Sequence, residues 1–506
     1  MIGGTFSVLA LIAHAAAAGR YGYFRDELYF IACSKHLAWG YVDQPPLVAV
    51  AAWLSAPFGY DLLALRALPI VAAALTVGVA VALARRLGGG RFAALLTAVA
   101  TLLLPAYLLL GNVLTTTSFE PLSWTLLAYA AVGIVRSEGR TTWWLAAAAA
   151  LAFGAYGKYS IALFACAIVA GIAATPQRRV LRSIGFPVAA ALAVAALAPN
   201  LAWQSVHGWP MLDVLRGDAA HRPAFQSGLA LEYGNLARNA LAFVLEQIVY
   251  TNPFATPVWI AGMAAPFRVA SLRDLRFLSV AAALVLITAM LAGAKGYYVV
   301  GIYGSLLAVG AVAVERAANG VRIAVLTAVA AAGVAALPLS LPVLGVDTLV
   351  GYTKLLGLTG RNGSPAHLVQ PVYAEEFGWD RLARDVASVY DGLPAAVRTR
   401  TAIYADTYAD AGAIDFYGPR YGLPPAISSQ NSYYLWGTHG YDGRSLVAIG
   451  ATRIGLLREF FRSVTLVRTS EEPYKWIVEG PTPIYLCRDP VAPLDVIWPK
   501  LRWYGA

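Results

Sequence analysis

The chain contains a series of long apolar stretches, and these limit the environment in which it can fold. A window of about 20 apolar residues is the length that crosses a bilayer as a helix. Such windows lie near 3–19, 62–84, 92–110, 119–135, 143–156, 159–174, 183–199, 241–265, 277–293, 297–314 and 321–342. The chain has 59% hydrophobic and 13% charged residues, and soluble globular domains have about twice this charge. The sequence therefore predicts a polytopic α-helical membrane protein with about eleven transmembrane helices.

Arginines occupy every second loop between these stretches, and basic loops stay on the cytoplasmic side of a membrane. The arginines concerned are Arg85, Arg86, Arg91, Arg136, Arg140, Arg178, Arg179, Arg182, Arg268, Arg273, Arg276, Arg316 and Arg322. The loops that contain Asp26, 111–118 and 200–239, and everything after Pro342, are then predicted to face outside. We attribute most of the formal charge of +10 to this bias in topology, so it does not indicate nucleic-acid binding.

The composition changes after Pro342, where charged residues return and Pro, Gly and Asp separate short segments. Apolar residues at helical spacing predict a helix over 377–390, and short apolar runs predict strands at 401–405, 446–449 and 482–487. We therefore divide the chain into a transmembrane domain, 1–342, and an extracytoplasmic α/β domain, 343–506. The first apolar stretch lacks a basic segment before it, so we interpret it as an anchor helix and not as a cleaved signal peptide.

Two adjacent carboxylates, Asp26 and Glu27, follow Arg25 just after the first apolar stretch. Adjacent residues on a helix point in different directions, so one can face a substrate while the other caps the helix, pairs with Arg25 or binds a cation. A carboxylate at the mouth of a membrane cavity can act as a general base. The alternative interpretation is a solvated loop with an acidic helix start.

The segment Asp43-Gln44-Pro45-Pro46 strengthens the functional interpretation. Two prolines cannot continue a helix, so they fix a turn at the membrane interface. The apolar segment 47–58 that follows is too short to span the membrane and is typical of an interfacial helix. A charged loop beside such a helix forms a rigid polar surface at the membrane interface.

Several motifs along the chain resemble those of the bacterial GT-C membrane glycosyltransferases. Similar families include protein O-mannosyltransferases, lipid A aminoarabinose transferase and rhizobial lipopolysaccharide galacturonosyltransferases. The motifs are 24–29, 41–46, 157–160, 199–204 with 207–210, 252–253 and 295–298, and in the tail 376–379 and 413–422. The resemblance implies a GT-C fold and a sugar donor carried on a polyprenyl phosphate.

The resemblance also implies roles for particular residues. Asp26 matches the acidic residue of the first outer loop, the catalytic base in the family, and Glu120 matches a second acidic position at a helix start. Glu120 could equally be a carboxylate that interacts with the dipole of its helix. Lys158 and Lys295 lie at outer helix ends, where an ammonium group can bind the donor phosphate or simply reach the lipid headgroups.

Gln44 departs from the aminoarabinose branch, which has a lysine before the proline pair. It brings no charge, so Lys295, Lys158 or Arg222 is expected to contribute more to phosphate binding. Aromatic and polar residues of the third outer loop, including His207, are typical of a sugar site or of an interfacial belt. The predicted substrate-binding residues are Arg25, Asp43, Gln44, Lys158, Tyr159, His207, Arg222, Lys295, Tyr297 and Tyr298, and the predicted catalytic residues are Asp26, Glu27 and Glu120.

These observations predict an inverting glycosyltransferase of the bacterial inner membrane, with Asp26 as general base. The acceptor, on the outer face, is an envelope glycolipid, a polysaccharide or a protein. The sequence has no phosphate-binding glycine motif for a nucleotide, and its histidines are not at metal-ligand spacing. It therefore predicts no metal-binding residues and no firm cofactor, while leaving a divalent cation as an alternative that assists Asp26. Two alternatives are a flippase or transporter for a lipid-linked substrate and a non-catalytic assembly scaffold.

Overall fold

The computed structural model describes residues 1–220, 236–358, 371–450, 452–475 and 481–505. The chain forms two compact units. The first, here called the membrane unit, comprises Met1–Gly19, Arg66–Ala202 and Pro223–Val343. The second, the tail unit, comprises Arg20–Leu65, Trp203–Arg222 and Leu344–Ala506. The tail unit thus begins its last segment next to the predicted boundary at 342, and it also takes in the segment that carries Asp26.

Most of the described chain is helical. The helices up to residue 340 are α1 (Ile2–Ala17), α2 (Arg25–Ser34), α3 (Leu47–Ser55), α4 (Leu62–Arg86), α5 (Arg91–Leu102), α6 (Pro105–Leu110), α7 (Glu120–Arg136), α8 (Thr141–Gly157), α9 (Ile161–Ala173), α10 (Gly185–Val206), α11 (Pro210–Ala220), α12 (Leu236–Tyr250), α13 (Thr256–Arg268), α14 (Arg276–Leu291), α15 (Tyr303–Val314) and α16 (Asn319–Ser340). The later helices are α17 (Val346–Leu355), α18 (Pro371–Ala374), α19 (Trp379–Asp391), α20 (Ala395–Arg398), α21 (Tyr408–Tyr417), α22 (Asn431–Trp436), α23 (Ile454–Phe460) and α24 (Leu494–Leu501).

The prediction of a polytopic helical membrane protein is confirmed. Among the described residues, six helices are long and apolar enough to cross a membrane: Leu62–Arg86, Thr116–Arg136, Gly185–Val206, Ala270–Leu291, Gly296–Val314 and Asn319–Ser340. A seventh is added if α9 and the 3-10 helix Pro176–Arg182, which are bent by 116°, count as one span. Shorter apolar helices include α1 and α5.

Two of the predicted apolar windows are interrupted by proline. The window at 92–110 ends as a helix at Leu102, and α6 starts at Pro105. The window at 241–265 breaks between α12 and α13, where Asn252 has a left-handed φ of 68° and Pro253 follows. Proline cannot donate the helical hydrogen bond and disfavours a helical conformation in the residue before it. A count of apolar windows therefore does not equal a count of long helices.

The arginine-rich loops of the membrane unit meet at one of its ends. Arg136 pairs with Asp274 at 2.7 Å and donates to the carbonyl of Arg86. Glu315 accepts hydrogen bonds from the backbone amides of Gly90 and Ala93. The side chains thus join loops that the positive-inside rule assigns to one side. Helix α7 ends at Arg136, so its first residue, Glu120, belongs to the opposite end.

The tail unit contains a mixed sheet, which confirms the predicted α/β class. Its described strands are β1 (Thr401–Ala405), β2 (Ala426–Ser428), β3 (Ser445–Ile449), β4 (Phe461–Ser470) and β5 (Thr482–Pro490). Their order is β2-β1-β3-β5-β4, with β1 parallel to β2 and β3, and β5 antiparallel to β3 and β4. The predicted strands correspond to β1, β3 and β5, and the predicted helix corresponds to α19. β2 and β4 were not predicted, because β2 has three residues and β4 is buried only at its two ends, without the alternation typical of a strand.

Helix α21 follows β1 and packs its backbone directly on α2. A Cβ atom at Gly412 would lie 2.8 Å from the carbonyl carbon of Leu28 and 3.0 Å from the amide nitrogen of Tyr29. These are main-chain atoms, which cannot rotate away. Glycine is therefore required at this point of α21, and the contact fixes the position of α2 against the sheet.

We expect Gly412→Ala to lower stability by about 1–3 kcal/mol, because an extra methyl group at a close backbone contact forces the two helices apart. Thermal unfolding in detergent micelles measures the change. The matched control is Gly455→Ala in α23, where a Cβ meets nothing within 4 Å and alanine improves helix propensity. Equal melting temperatures for Gly412→Ala and the wild type would contradict the close contact.

Candidate active site

The carboxylate pair at the start of α2 separates into two structural roles. An oxygen of Glu27 accepts a hydrogen bond from the backbone amide of Phe24 at 2.8 Å, and Glu27 is fully buried. Glu27 thus caps its own helix, one of the roles that the sequence left open. The side chain of Asp26 is 25% exposed. Of the two carboxylates, Asp26 is the one that solvent or a substrate can reach.

Asp26 is held by groups from α2 and from the turn after β1. The hydroxyl of Tyr408 donates to Oδ1 of Asp26 at 2.9 Å. The Nε atom of Arg25 lies 3.8 Å from the same oxygen, and the guanidinium also pairs with Glu375 at 3.4 Å. The guanidinium carbon lies 5.2 Å from the centre of the Tyr408 ring, within the range of a cation–π interaction.

Asp43 is a second carboxylate of this cluster. It accepts hydrogen bonds from the hydroxyl of Tyr29 at 2.8 Å and from Nδ2 of Asn431 at 2.9 Å. Burial raises the pKa of Asp43 to about 7, and the charge of Asp26 acts in the same direction. The rings of Tyr29 and Tyr408 are in contact, with centroids 4.7 Å apart. Each carboxylate therefore accepts a hydrogen bond from the hydroxyl of one tyrosine of this packed pair, Asp43 from Tyr29 and Asp26 from Tyr408.

Gln44 precedes the proline pair and lies in the tail unit. Its side chain is 2% exposed, and its amide nitrogen lies 3.6 Å from the sulfur of Cys33. The following prolines turn the chain so that Gln44 points into the interior beside α2. A contact between Gln44 and a phosphate stays a prediction.

Sequence reasoning missed three members of this cluster, namely Tyr29, Tyr408 and Asn431. Tyr29 could have been found, because it lies three positions after Asp26 and therefore on the same face of a helix. Tyr408 and Asn431 follow β1 and β2, about 380 to 400 residues further along the chain. Neither has a local signal that connects it with Asp26. The parallel pairing of β1 and β2 brings the two turns to one edge of the sheet.

A second cluster lies in the membrane unit, around Glu120. Glu120 is the first residue of α7 and is 2% exposed. The hydroxyl of Ser160 donates a hydrogen bond to its Oε1 atom, and Glu120 also interacts electrostatically with Lys158. The ammonium of Lys158 donates to Oγ1 of Thr117 at 2.9 Å. The structure thus brings together the predicted acid of α7 and one of the two predicted lysines.

Aromatic residues complete this second cluster. The ammonium nitrogen of Lys158 lies 3.9 Å from the centre of the Tyr298 ring and 5.5 Å from that of Tyr297. The hydroxyl of Tyr159 donates to Oδ1 of Asn200 at 2.7 Å. A lysine, two tyrosines and a carboxylate from separate sequence motifs are therefore neighbours in the membrane unit.

The other predicted site residues are Lys295, His207 and Arg222. Lys295 is half-buried and precedes the 3-10 helix Gly296–Ile302, whose first amide is bonded to Glu246. His207 is exposed and stacks on Trp203, with ring centroids 4.0 Å apart. This stacking agrees with an interfacial role as well as with a sugar site. Arg222 lies outside the described residues.

Comparison with known proteins supports the resemblance. Residues 43–203 match the family model of dolichyl-phosphate-mannose-protein mannosyltransferases. The structure is similar to the crystal structure of ArnT from Cupriavidus metallidurans bound to undecaprenyl phosphate, with a TM-score of 0.63 and 16% identity over 95% of this chain and 97% of that chain. The apo form of the same protein gives a TM-score of 0.60 with the same identity and coverage. No curated protein sequence matches the chain. The predicted GT-C fold is confirmed.

The raised pKa of Asp43 predicts a pH dependence of stability. The folded-state pKa, about 7, lies above the ordinary value of 3.8, so the folded protein binds this proton more tightly. The resulting stabilisation is fully present below the ordinary value and is lost as the pH rises through 7. We expect the thermal midpoint of the wild type to fall between pH 5 and pH 8, and Asp43→Asn to reduce that fall.

Thermal unfolding at pH 5, 6, 7 and 8 measures this effect. Burial raises the pKa of Asp406 to about 6. Because Asp406 still titrates in the Asp43→Asn variant, part of the fall in the thermal midpoint remains there. Asp495→Asn, at an exposed position in the first turn of α24, is the matched control and keeps the wild-type slope. A slope in Asp43→Asn as steep as in the control would show that Asp43 does not titrate in this range.

Proposed function

We propose that the protein is a glycosyltransferase that moves a sugar from a polyprenyl-phosphate carrier to a hydroxyl group of an envelope acceptor. The observation that carries the proposal is the partly exposed Asp26 carboxylate, held by Tyr408 and Arg25 at the start of α2. The family match at residues 43–203 and the ArnT-like fold support the same activity. ArnT binds undecaprenyl phosphate, so we take undecaprenyl phosphate as the carrier here.

In the proposed reaction, Asp26 acts as general base. Its carboxylate takes the proton of the acceptor hydroxyl while that oxygen attacks the anomeric carbon of the donor sugar. The bond between the anomeric carbon and the phosphate oxygen breaks, and the configuration at the anomeric carbon inverts. Undecaprenyl phosphate leaves with the bonding electrons. Arg25 lies 3.8 Å from this carboxylate, and a cation beside a carboxylate favours its charged form.

The lysines of the membrane unit are proposed to bind the phosphate of the donor. Lys158 and Lys295 each supply an ammonium group, and Tyr297 and Tyr298 offer ring faces to Lys158. Such cations stabilise the negative charge that develops on the leaving phosphate. We further propose that the reaction takes place at the outer face of the inner membrane, because the arginine-rich loops are expected to face the cytoplasm.

Asp26→Asn is expected to lower sugar transfer by about 10² to 10⁴, because asparagine keeps the shape of the side chain but accepts no proton. The assay uses membranes with a panel of radiolabelled undecaprenyl-phosphate hexoses, uronic acids and aminopentoses, and measures label in envelope material. Asp495→Asn is the control for loss of a carboxylate elsewhere in the tail unit. Wild-type turnover by a correctly inserted Asp26→Asn protein would exclude Asp26 as the base.

Lys295→Met is expected to weaken the binding of undecaprenyl phosphate by about ten- to a hundredfold, because methionine keeps the apolar stem but lacks a charge-assisted hydrogen bond. Tryptophan fluorescence in detergent, titrated with undecaprenyl phosphate, measures the dissociation constant. Lys354→Met, at an exposed position of α17, controls for general loss of a basic residue. An unchanged dissociation constant would assign Lys295 to the lipid headgroups and make Lys158 the next residue to test.

A further inference from the structure

Within the tail unit, two turns of the C-terminal α/β domain supply polar groups to Asp26 and Asp43. Tyr408 follows β1 and donates to Asp26, and Asn431 follows β2 and donates to Asp43. Asn431 is 1% exposed and has a φ of 48°, a left-handed conformation that is uncommon outside glycine. The sheet of the C-terminal domain therefore ends directly at the residues on which the proposed reaction depends.

Gln430 joins these two turns. Its Oε1 atom accepts a hydrogen bond from the backbone amide of Tyr408 at 2.7 Å, and its Nε2 atom donates to the carbonyl of Gly505 at 2.8 Å. Gln430 is 1% exposed, so water competes little for these bonds. The backbone of Tyr408 is thus fixed from the end of the neighbouring strand.

The side chain of Tyr408 is fixed as well. It is 7% exposed, and its ring packs on Tyr29 of α2. It is also the first residue of α21, the helix that contacts the α2 backbone through Gly412. With its ring and its main chain both held, the hydroxyl has a defined position 2.9 Å from Asp26.

We propose that Tyr408 is a positioning residue for Asp26, which makes the C-terminal α/β domain part of the active centre. This inference rests on the proposed role of Asp26 as general base. A hydrogen bond to one carboxylate oxygen restricts rotation of the carboxylate and favours its ionised form. The base is then oriented, with its charged form favoured, before an acceptor arrives, which is the preorganisation that efficient proton transfer needs.

Other charged and titratable groups also act on Asp26. They include Arg25 at 3.8 Å, Asp43, and Glu375, which pairs with Arg25. Removal of the Tyr408 hydroxyl leaves these groups in place. A change in the pH dependence of Asp26 in Tyr408→Phe therefore reports on the hydrogen bond from the Tyr408 hydroxyl.

The first experiment compares Tyr408→Phe with Tyr421→Phe in the transfer assay. Tyr421 donates to Asp380 at 2.8 Å in the same unit, so the control removes the same kind of hydrogen bond at another place. We expect Tyr408→Phe to lower kcat/KM by about ten- to a hundredfold and to move the acidic limb of its pH profile to higher pH. Tyr421→Phe should retain the wild-type rate and profile.

A double-mutant cycle separates positioning from folding. If Tyr408 acts through Asp26, Tyr408→Phe has little further effect on transfer in the Asp26→Asn background. The same fractional loss in both backgrounds, or a superimposable pH profile, would overturn the proposal. If Tyr408→Phe transfers sugar at the wild-type rate while Asp26→Asn loses transfer, the role of Tyr408 is also overturned. The proposed function of the protein would stand in that case.

A chemical modification experiment tests the same hydrogen bond without sugar transfer, and it can be used when the available donor sugars are transferred slowly. Protonated carboxyl groups react with a hydrophobic carbodiimide, and mass spectrometry of the peptide that contains Asp26 measures the extent of modification at each pH. Modification of Asp26 should extend to higher pH in Tyr408→Phe than in the wild type and in Tyr421→Phe. Identical pH curves for the three folded proteins would refute the inferred hydrogen bond.

Discussion

The tail unit depends on one steric constraint, the contact between the backbones of α2 and α21 at Gly412. Two helices that touch main chain to main chain have little freedom to slide, because no side chain lies between them to adapt. Tyr408 at the start of α21 consequently reaches Asp26 at the start of α2. The sheet, helix α21 after β1 and the short helix α2 form one frame around the two carboxylates.

Within that frame, three carboxylates have three different roles. Glu27 is buried and satisfies the first turn of its helix, so its charge is used in the fold. Asp43 is surrounded by Tyr29 and Asn431, and a pKa near neutrality allows it to be protonated part of the time. Asp26 remains partly exposed beside Arg25. Close to neutral pH the cluster can therefore hold less than the full negative charge of its acids, which limits repulsion between Asp26 and Asp43.

The sequence predicted those features that depend on neighbouring residues. Apolar windows identified the membrane helices, and strands β1 and β3 were located because both are buried along their whole length. The helix-capping role that Glu27 has in the structure was among the predicted alternatives. Lys158, Glu120 and the tyrosines were chosen from motifs that lie far apart in the chain and prove to be neighbours.

The features that sequence reasoning missed depend on distant residues or on the surroundings of a side chain. Tyr408 and Asn431 reach the carboxylates through strand pairing, which no local pattern reports. The surroundings of Gln44 were also not predicted, since its amide nitrogen lies 3.6 Å from the sulfur of Cys33. The breaks after Leu102 and at Asn252 show that a hydropathy average conceals a proline in the middle of a window.

Arg136 shows how one residue can be subject to two kinds of selection. Its charge belongs to the pattern that sets the direction of insertion, whereas its planar group also bridges Asp274 and the carbonyl of Arg86. Lysine would provide the same charge during biogenesis, but its single ammonium does not reproduce this forked geometry. In related sequences, arginine at this position should therefore resist drift to lysine more strongly than arginines of the same loops that only carry charge.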